Sequence, residues 1–500
     1  MPRILTFGLL ALILALGLAL RAWHLGGTSL WLDEAHSIGL ARLWWKQLWI
    51  FAAHVDPNPP LYFTLLKFWL RAFGDSEIAV RSLSVLFGVI GIGAAFLLGR
   101  IAGGRTLGLA AAALIATSPV LVLYNRDTRG YSLAITAATL SLCGALTLLS
   151  RAFPPRDAPK RLHPKPALAW SVYVGGAVVA AYTHITLMLL PVIVNFAFAA
   201  LWIAAPDRDR RTIGPWIIGN ALIFAAYLPW LPNIAHGPVV AGSFWVPQAS
   251  WTHALVIVRD VYGLSALPQL QPWLDIAILV LAVAGLVGLR KNRAALALVA
   301  SVVVLVPLLI YLASLYRPIL IPRVLIWPLP ALAVLVAAGM LRMPRPWIAS
   351  ALVGALVVLQ LTGNDLAATR RDEPWREVAA QIRRERQPGD AIVIVPSYGA
   401  IPFEYYWGKD RDVLTVELDA PVGPNSLWSY EVIGPDDMTE RLAARRRFWL
   451  VVRHQPQDLG LKARDIGVED VAGRLLKQMK PVSSHRYSEL LDLHLFARDQ

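Results

Sequence analysis

The stretch that decides the fold is LTFGLLALILALGLALRAWHLGGTSLWLDEAHSIGLAR, residues 5–42, in which a long apolar run leads into two adjacent acids. An apolar run of about 18 residues or more is typical of a transmembrane helix. Asp33 and Glu34 therefore stand where the chain leaves the membrane. Carboxylates at that depth are costly to desolvate, so they are usually capped, paired or functional. The pattern predicts a membrane protein with a polar centre in its first outer loop.

The rest of the composition extends this prediction. The chain has 500 residues, of which 56% are hydrophobic and 16% charged, and its mean hydropathy is +0.53. Between residues 4 and 362 the sequence contains about eleven apolar runs of membrane-spanning length. The N-terminus resembles a signal peptide, but no small-residue cleavage site follows it, so we predict a retained first helix.

The net charge of +14 is distributed as in a membrane protein. The first 365 residues hold 27 basic and 12 acidic residues, whereas the remainder holds 20 and 21. The excess lies in short alternate loops, and basic loops face the cytoplasm. We therefore expect a lipid bilayer as the partner and no nucleic acid. The N-terminus should be cytoplasmic and the C-terminal part extracytoplasmic.

The chain is predicted to contain two domains: a transmembrane domain over residues 1–362 and a small extracytoplasmic α/β domain over residues 363–500. In the second, EPWREVAAQIRRERQPGD (373–390) has the pattern of an amphipathic helix, and AIVIV (391–395), RFWLVV (447–452) and LHLFA (493–497) read as strands. No dinucleotide-binding or Walker motif is present in the sequence.

The polar residues of interest fall on the outer face that this orientation predicts; they are Asp33, Glu34, Asp56, Arg126, Arg129, Tyr131, His184, Arg317 and Arg323. Two interfacial helices are expected in the first outer loop, one over residues 33–51 and one starting at Asn58. Structural explanations compete with functional ones. An acid can cap a helix, an arginine can snorkel to the interface, and a lone histidine can be a packing residue.

Several motifs in a fixed order resemble a known family. After the acid pair come NPPLYFTLL (58–66), RDTRGYSL (126–133), YTH (182–184) and RPILIPR (317–323). Together they resemble the bacterial GT-C glycosyltransferases, in particular relatives of the protein O-mannosyltransferases and of the lipid A aminoarabinose transferase. The resemblance implies a GT-C-like membrane domain of about eleven transmembrane helices. It also implies a polyprenyl-phosphate sugar donor and transfer at the outer face of the bacterial inner membrane.

The resemblance also implies roles for individual residues. Asp33 would be the catalytic base, Glu34 its neighbour in the motif, and Asp56 the second carboxylate. Arg126 and Arg323 would contact the donor phosphate, and Arg129 and Tyr131 complete the RxxRxY pattern; Arg317 and His184 are further candidates for substrate contact. Many members have histidine where this chain has Asn58.

The chemistry of such a transfer agrees with these residue types. A lipid phosphate is a good leaving group, so the enzyme needs a base for the acceptor hydroxyl and positive charge for the departing phosphate. One direct displacement inverts the anomeric centre. A lipid or glycan transporter is the alternative, but it would favour ionisable groups near the bilayer midplane. A purely structural role is the third class. The sequence leaves open the sugar (hexose or pentose) and the acceptor (protein, lipid or glycan). It also leaves open the need for a divalent metal; no HxxxH or HExxH spacing indicates a metal site.

Overall fold

The computed structural model describes residues 2–56, 58–154, 165–205, 210–236, 246, 248–263, 270–368, 373–417, 427–443, 445–454, 473 and 479–498. The chain divides into two compact units. The first comprises Met1–Trp23, Trp45–Ala72 and Ala79–Ala368. The second comprises His24–Trp44, Phe73–Ile78 and Thr369–Gln500. The second unit thus combines the C-terminal part of the chain with two segments of the first loop.

The first unit is helical. Its helices are α1 (Arg3–Ala22), α3 (Trp45–Val55), α4 (Leu61–Phe73), α5 (Glu77–Gly103), α6 (Arg105–Thr117), α7 (Pro119–Tyr124), α8 (Tyr131–Ala152), α9 (Pro166–Ala181), α10 (Leu189–Ala204), α11 (Ile213–Tyr227), α12 (Leu231–His236), α13 (Trp251–Tyr262), α14 (Gln271–Leu289), α15 (Arg293–Tyr316), α16 (Leu329–Met340) and α17 (Pro346–Ala368). The remaining helix of the first loop, α2 (Leu32–Arg42), belongs to the second unit.

Eight helices within the described residues are long and apolar enough to cross a membrane, namely α1, α5, α8, α10, α11, α14, α15 and α17, with adjoining turns counted in α10 and α11. Three shorter apolar helices, α6, α9 and α16, coincide with further predicted spans. The predicted class, a polytopic helical membrane protein, is confirmed. The number of crossings stays a prediction.

Close backbone approach joins two of these helices. A Cβ atom added to Gly99 of α5 would lie 2.9 Å from Gly108 Cα of α6. Small residues allow membrane helices to approach closely. Gly99 and Gly108 therefore allow α5 and α6 to pack closely.

The apolar run over residues 106–124 is not one continuous helix but is broken between α6 and α7. Pro119 has no N–H to donate to the carbonyl of Ile115. The buried guanidinium of Arg21 donates instead to Ile115 O (3.1 Å) and Ala116 O (2.8 Å). Arg21 thus supplies donors to two carbonyls at the break, including that of Ile115, which Pro119 cannot serve.

The interfacial helices also differ from the expectation. The single helix predicted over residues 33–51 is two helices, α2 and α3, because Leu43 adopts an extended backbone conformation. The second helix begins at Leu61, beyond the two prolines that follow Asn58.

The second unit contains the predicted α/β domain. Its helices are α18 (Trp375–Glu385), α19 (Ala400–Trp407) and α20 (Pro435–Ala443), and its strands are β1 (Ala391–Val395), β2 (Val413–Val416), β3 (Glu431–Ile433), β4 (Arg447–Arg453), β5 (Lys480–Arg486) and β6 (Leu491–Ala497). The sheet order is β3-β2-β1-β4-β6-β5. Strands β1 to β4 are parallel to one another, and β6 runs antiparallel to both of its neighbours, β4 and β5. All five residues of β1 are buried, as expected of a central parallel strand.

Candidate active site

A buried ion pair forms the centre of the candidate site in the first unit. Asp56 directly follows α3, and its Oδ2 lies 3.1 Å from Arg129 Nη1. The other carboxylate oxygen, Oδ1, accepts from the backbone N–H of Asn58 (2.8 Å) and from its Nδ2 (3.0 Å). The side chains of Asp56 and Arg129 are only 4% and 8% exposed. Three hydrogen-bonding contacts therefore hold this carboxylate in one orientation.

Asn58 links this carboxylate to a second loop. Its Oδ1 accepts from the backbone N–H of Ile185 (3.3 Å), and the N–H of Leu61 donates to Tyr182 O (3.2 Å). The segment between α3 and α4 is thereby fixed against the turn between α9 and α10. Sequence reasoning identified Asn58 only as a helix start and as a departure from the family pattern; it did not find this bridging role.

His184 lies in that same turn and is buried. Its Nδ1 is 2.9 Å from Thr186 Oγ1, and its ring centroid lies 6.0 Å from that of Tyr131. Burial, and then the positive charges of Arg323 and Arg129, lower the pKa of His184 to about 3, while Asp56 opposes them. The imidazole is therefore neutral at physiological pH.

Tyr131 brings the last arginine to this cluster. The tyrosine begins α8, is buried, and meets Tyr124 edge to face at 5.1 Å. Arg323, half-buried in the short turn Pro322–Val324, donates through Nη1 to Tyr131 Oη at 3.4 Å. The described contacts therefore bring together Asp56, Arg129, Tyr131, His184 and Arg323.

The turn that carries Arg126 and Arg129 directs them to different partners. A Cβ atom at Gly130 would lie 2.9 Å from Thr183 Cγ2, so the turn packs tightly on the loop of His184. Arg129 reaches Asp56, whereas Arg126 donates through Nη2 to Trp23 O (2.7 Å) at the end of α1. Arg317 is half-buried and follows α15 directly.

Asp33 and Glu34 belong to the second unit, in the first turn of α2. Glu34 is buried, and its Oε2 accepts from the backbone N–H of Trp31 (3.4 Å), which is the helix-capping use of an acid. Asp33 is half-buried, and its negative charge helps to raise the pKa of Arg453 at the end of β4. The two neighbouring acids therefore have different environments.

The described residues contain no group of three or more histidine, cysteine, aspartate or glutamate side chains placed to hold a metal ion. The candidate site there consists of one carboxylate, one neutral imidazole, a phenol and two guanidinium groups. Such a set can bind an oxyanion, because guanidinium groups match phosphate oxygens in shape and charge.

A family model matches part of the chain. Residues 57–232 match the family model described as dolichyl-phosphate-mannose-protein mannosyltransferase. The matched segment includes Arg126, Arg129, Tyr131 and His184. Among curated proteins, no sequence matches the chain.

Solved structures share the fold over nearly the whole chain. The apo structure of ArnT from Cupriavidus metallidurans matches with a TM-score of 0.63 and 14% identity, covering 98% of each chain. The same protein bound to undecaprenyl phosphate matches at 0.60, with 14% identity and 98% of each chain covered. AglB from Archaeoglobus fulgidus, in complex with an inhibitory peptide and a dolichol-phosphate, matches at 0.56 with 12% identity, covering 99% of this chain and 74% of that one.

At these identities the likeness is one of fold. Together with the family match, it confirms the predicted resemblance to the GT-C glycosyltransferases and the predicted architecture of a helical membrane domain with a small α/β domain.

Proposed function

We propose that the protein is an inverting glycosyltransferase that moves a sugar from a polyprenyl-phosphate donor to an acceptor hydroxyl at the outer face of a bacterial inner membrane. The observation that carries the proposal is the cluster of Asp56, Arg129, His184, Tyr131 and Arg323 in the helical unit. Most of these residues fall in the segment that matches the mannosyltransferase family model. Proteins of similar fold hold undecaprenyl phosphate or dolichol-phosphate.

The donor phosphate is assigned first to Arg323. The resemblance gives Arg323 this role, and its Nη1 donates to Tyr131 at the start of α8. The guanidinium of Arg129 faces the carboxylate of Asp56. Asp56 then orients the guanidinium of Arg129. Arg129 and the neutral imidazole of His184 lie beside the proposed phosphate site. Arg126 and Arg317 are further candidates for phosphate contact. Positive charge fixed in place before the reaction stabilises the phosphate as it departs.

The base is assigned to Asp33. The resemblance gives this position the role of base. The carboxylate of neighbouring Glu34 instead accepts a hydrogen bond from the backbone N–H of Trp31 at the start of α2. A base that takes the proton of the acceptor hydroxyl accelerates transfer by about 10²–10⁴-fold. No general acid is needed because the polyprenyl phosphate leaves as an anion. A single displacement at the anomeric carbon gives inversion.

The test is Asp33→Asn in purified protein. We expect transfer from the polyprenyl-phosphate sugar to fall by about 10²–10⁴-fold while donor binding is retained. Asp437→Asn, at an exposed position in the first turn of α20 in the C-terminal domain, is the matched control and should transfer normally. The donor for this assay is identified by mass spectrometry of the lipid-linked sugars that accumulate when the protein is deleted. A fully active Asp33→Asn enzyme would remove the base from the proposal.

A further inference from the structure

The segment that carries Asp33 belongs to the same compact unit as the C-terminal domain. Residues 24–44 and 73–78 form one compact unit with the chain from residue 369 onward. The contacts that join these segments are hydrogen bonds to backbone atoms and to the side chains of Ser29, Glu77 and Glu377. They therefore fix the path of the loop as well as its position.

Arg376, in the first turn of α18, makes the largest set of these contacts. Its Nη1 donates to Glu77 Oε2 (2.8 Å) and to Gly26 O (3.4 Å), and its Nη2 donates to Gly27 O (3.3 Å). Its backbone N–H donates to Ser29 Oγ at 3.2 Å. One residue of the C-terminal domain thus binds both segments of the first loop.

Two further side chains fix the residues just before α2. Tyr406 of α19 accepts from the backbone N–H of Leu30 at 2.7 Å and donates to Glu77. Ser29 Oγ donates to Glu377 Oε2 at 2.8 Å. These contacts lie three to four residues before Asp33, so they set where α2 begins.

The sheet end next to α2 is also polar. In open α/β sheets the crevice lies at the carboxyl ends of the strands, where the strand order reverses. Here that place is between β1 and β4, and it is occupied by Arg453, which binds Glu373 through Nη2 (2.7 Å) and Nε (3.3 Å) and lies over the ring of Tyr398. Burial lowers the pKa of Arg453, but Glu373, Tyr398 and Asp33 outweigh it and raise it above the usual range.

We propose that the C-terminal α/β domain positions the catalytic base: through the contacts of Arg376 and Tyr406 with Glu77 and with the residues before α2, it holds the start of α2, and hence Asp33, in place. The inference rests on the proposed function, since it takes Asp33 as the base. Arg376 is a positioning residue in this scheme and touches no substrate. Misplacement of a catalytic group by about 1 Å can cost about 10²-fold in rate.

The first experiment replaces Arg376 with alanine. We expect kcat for transfer to fall by about 10–10²-fold, with the KM for the polyprenyl-phosphate sugar unchanged. Arg441→Ala is the matched control, because Arg441 also pairs with a glutamate (Glu431, 2.6 Å) but within the α/β domain. It should keep the parent kcat.

The second experiment restores the position of α2 by a covalent link. A Cβ atom at Gly39 of α2 would lie 3.7 Å from Leu427 Cβ, and disulfides join Cβ atoms about 3.8 Å apart. The pair Gly39→Cys and Leu427→Cys, made in a Cys143→Ser background that removes the buried native thiol, should therefore crosslink on oxidation. Oxidation should return the kcat of Arg376→Ala to within a few-fold of the parent, and reduction should lower it again.

The outcomes separate the two proposals. A crosslink that forms without restoring kcat would overturn the positioning role, as would an Arg376→Ala enzyme of parent kcat. If the Gly39→Cys and Leu427→Cys pair fails to crosslink when Arg376 is present, the packing of α2 against the C-terminal domain is wrong. If the parent protein transfers no sugar from any polyprenyl-phosphate donor, the proposed function fails, while the crosslinking yield still reports whether the domain holds α2.

Discussion

Asp56 Oδ2 lies 3.1 Å from Arg129 Nη1, and both side chains are more than nine-tenths buried. This contact joins the loop after α3 to the turn before α8. One arginine of the RxxRxY motif, Arg129, is thus held by a carboxylate of the same chain. The motif therefore contributes a buried structural contact to the site as well as positive charge.

Breaking this pair should destabilise the helical unit strongly. Removal of one partner of a buried ion pair leaves an uncompensated charge and costs about 3–5 kcal/mol. We expect Asp56→Asn and Arg129→Gln each to lower the melting temperature in detergent, and the double variant to lose less than the sum. The control is Asp275→Asn, whose pair with Arg259 is 26% and 46% exposed and should contribute about 1 kcal/mol or less. Additive losses in the double variant would contradict the coupling.

The sequence predicts the elements of this fold better than their contacts. Apolar runs and period-two patterns are local, so the membrane helices and strands such as Ala391–Val395 follow from them. The break at Pro119 also has a local cause, but Arg21, which binds the freed carbonyls, comes from a distant helix. The bridge from Asn58 to Ile185 likewise depends on two loops that only the folded chain brings together. Local patterns carry no information on such pairings.

Arg323→Gln should weaken donor binding while leaving the fold intact. Hydrogen bonds to charged groups contribute about 1.5–3 kcal/mol, so we expect the Kd for the polyprenyl phosphate to rise about 10–100-fold. Tyr131→Phe removes only the acceptor of a 3.4 Å hydrogen bond and should change the Kd by a few-fold at most. Binding is measured by the thermal shift that polyprenyl phosphate induces in the purified protein. Unchanged affinity in Arg323→Gln would contradict the phosphate contact.

The stability of the helical unit should depend on the protonation of His184. Its pKa is about 3 in the folded protein and about 6.5 in an unfolded chain, so the unfolded state binds more protons between these values. Its contribution is therefore complete above about pH 6.5 and is lost as the pH falls from there toward 3. Melting curves from pH 4 to 8 should show a smaller slope for His184→Gln, which cannot take up a proton. Equal slopes for both proteins would contradict a neutral buried imidazole.

The orientation of the chain can be tested with single cysteines. Basic loops face the cytoplasm, so Lys165 and Lys291, both exposed, should lie inside, and Arg486 on exposed β5 should lie outside. In a Cys143→Ser background, an impermeant maleimide should label Arg486→Cys on intact spheroplasts. It should label Lys165→Cys and Lys291→Cys only after lysis. Labelling of Arg486→Cys only after lysis would place the C-terminal domain in the cytoplasm. Transfer at the outer face would then be impossible for a base that this domain holds.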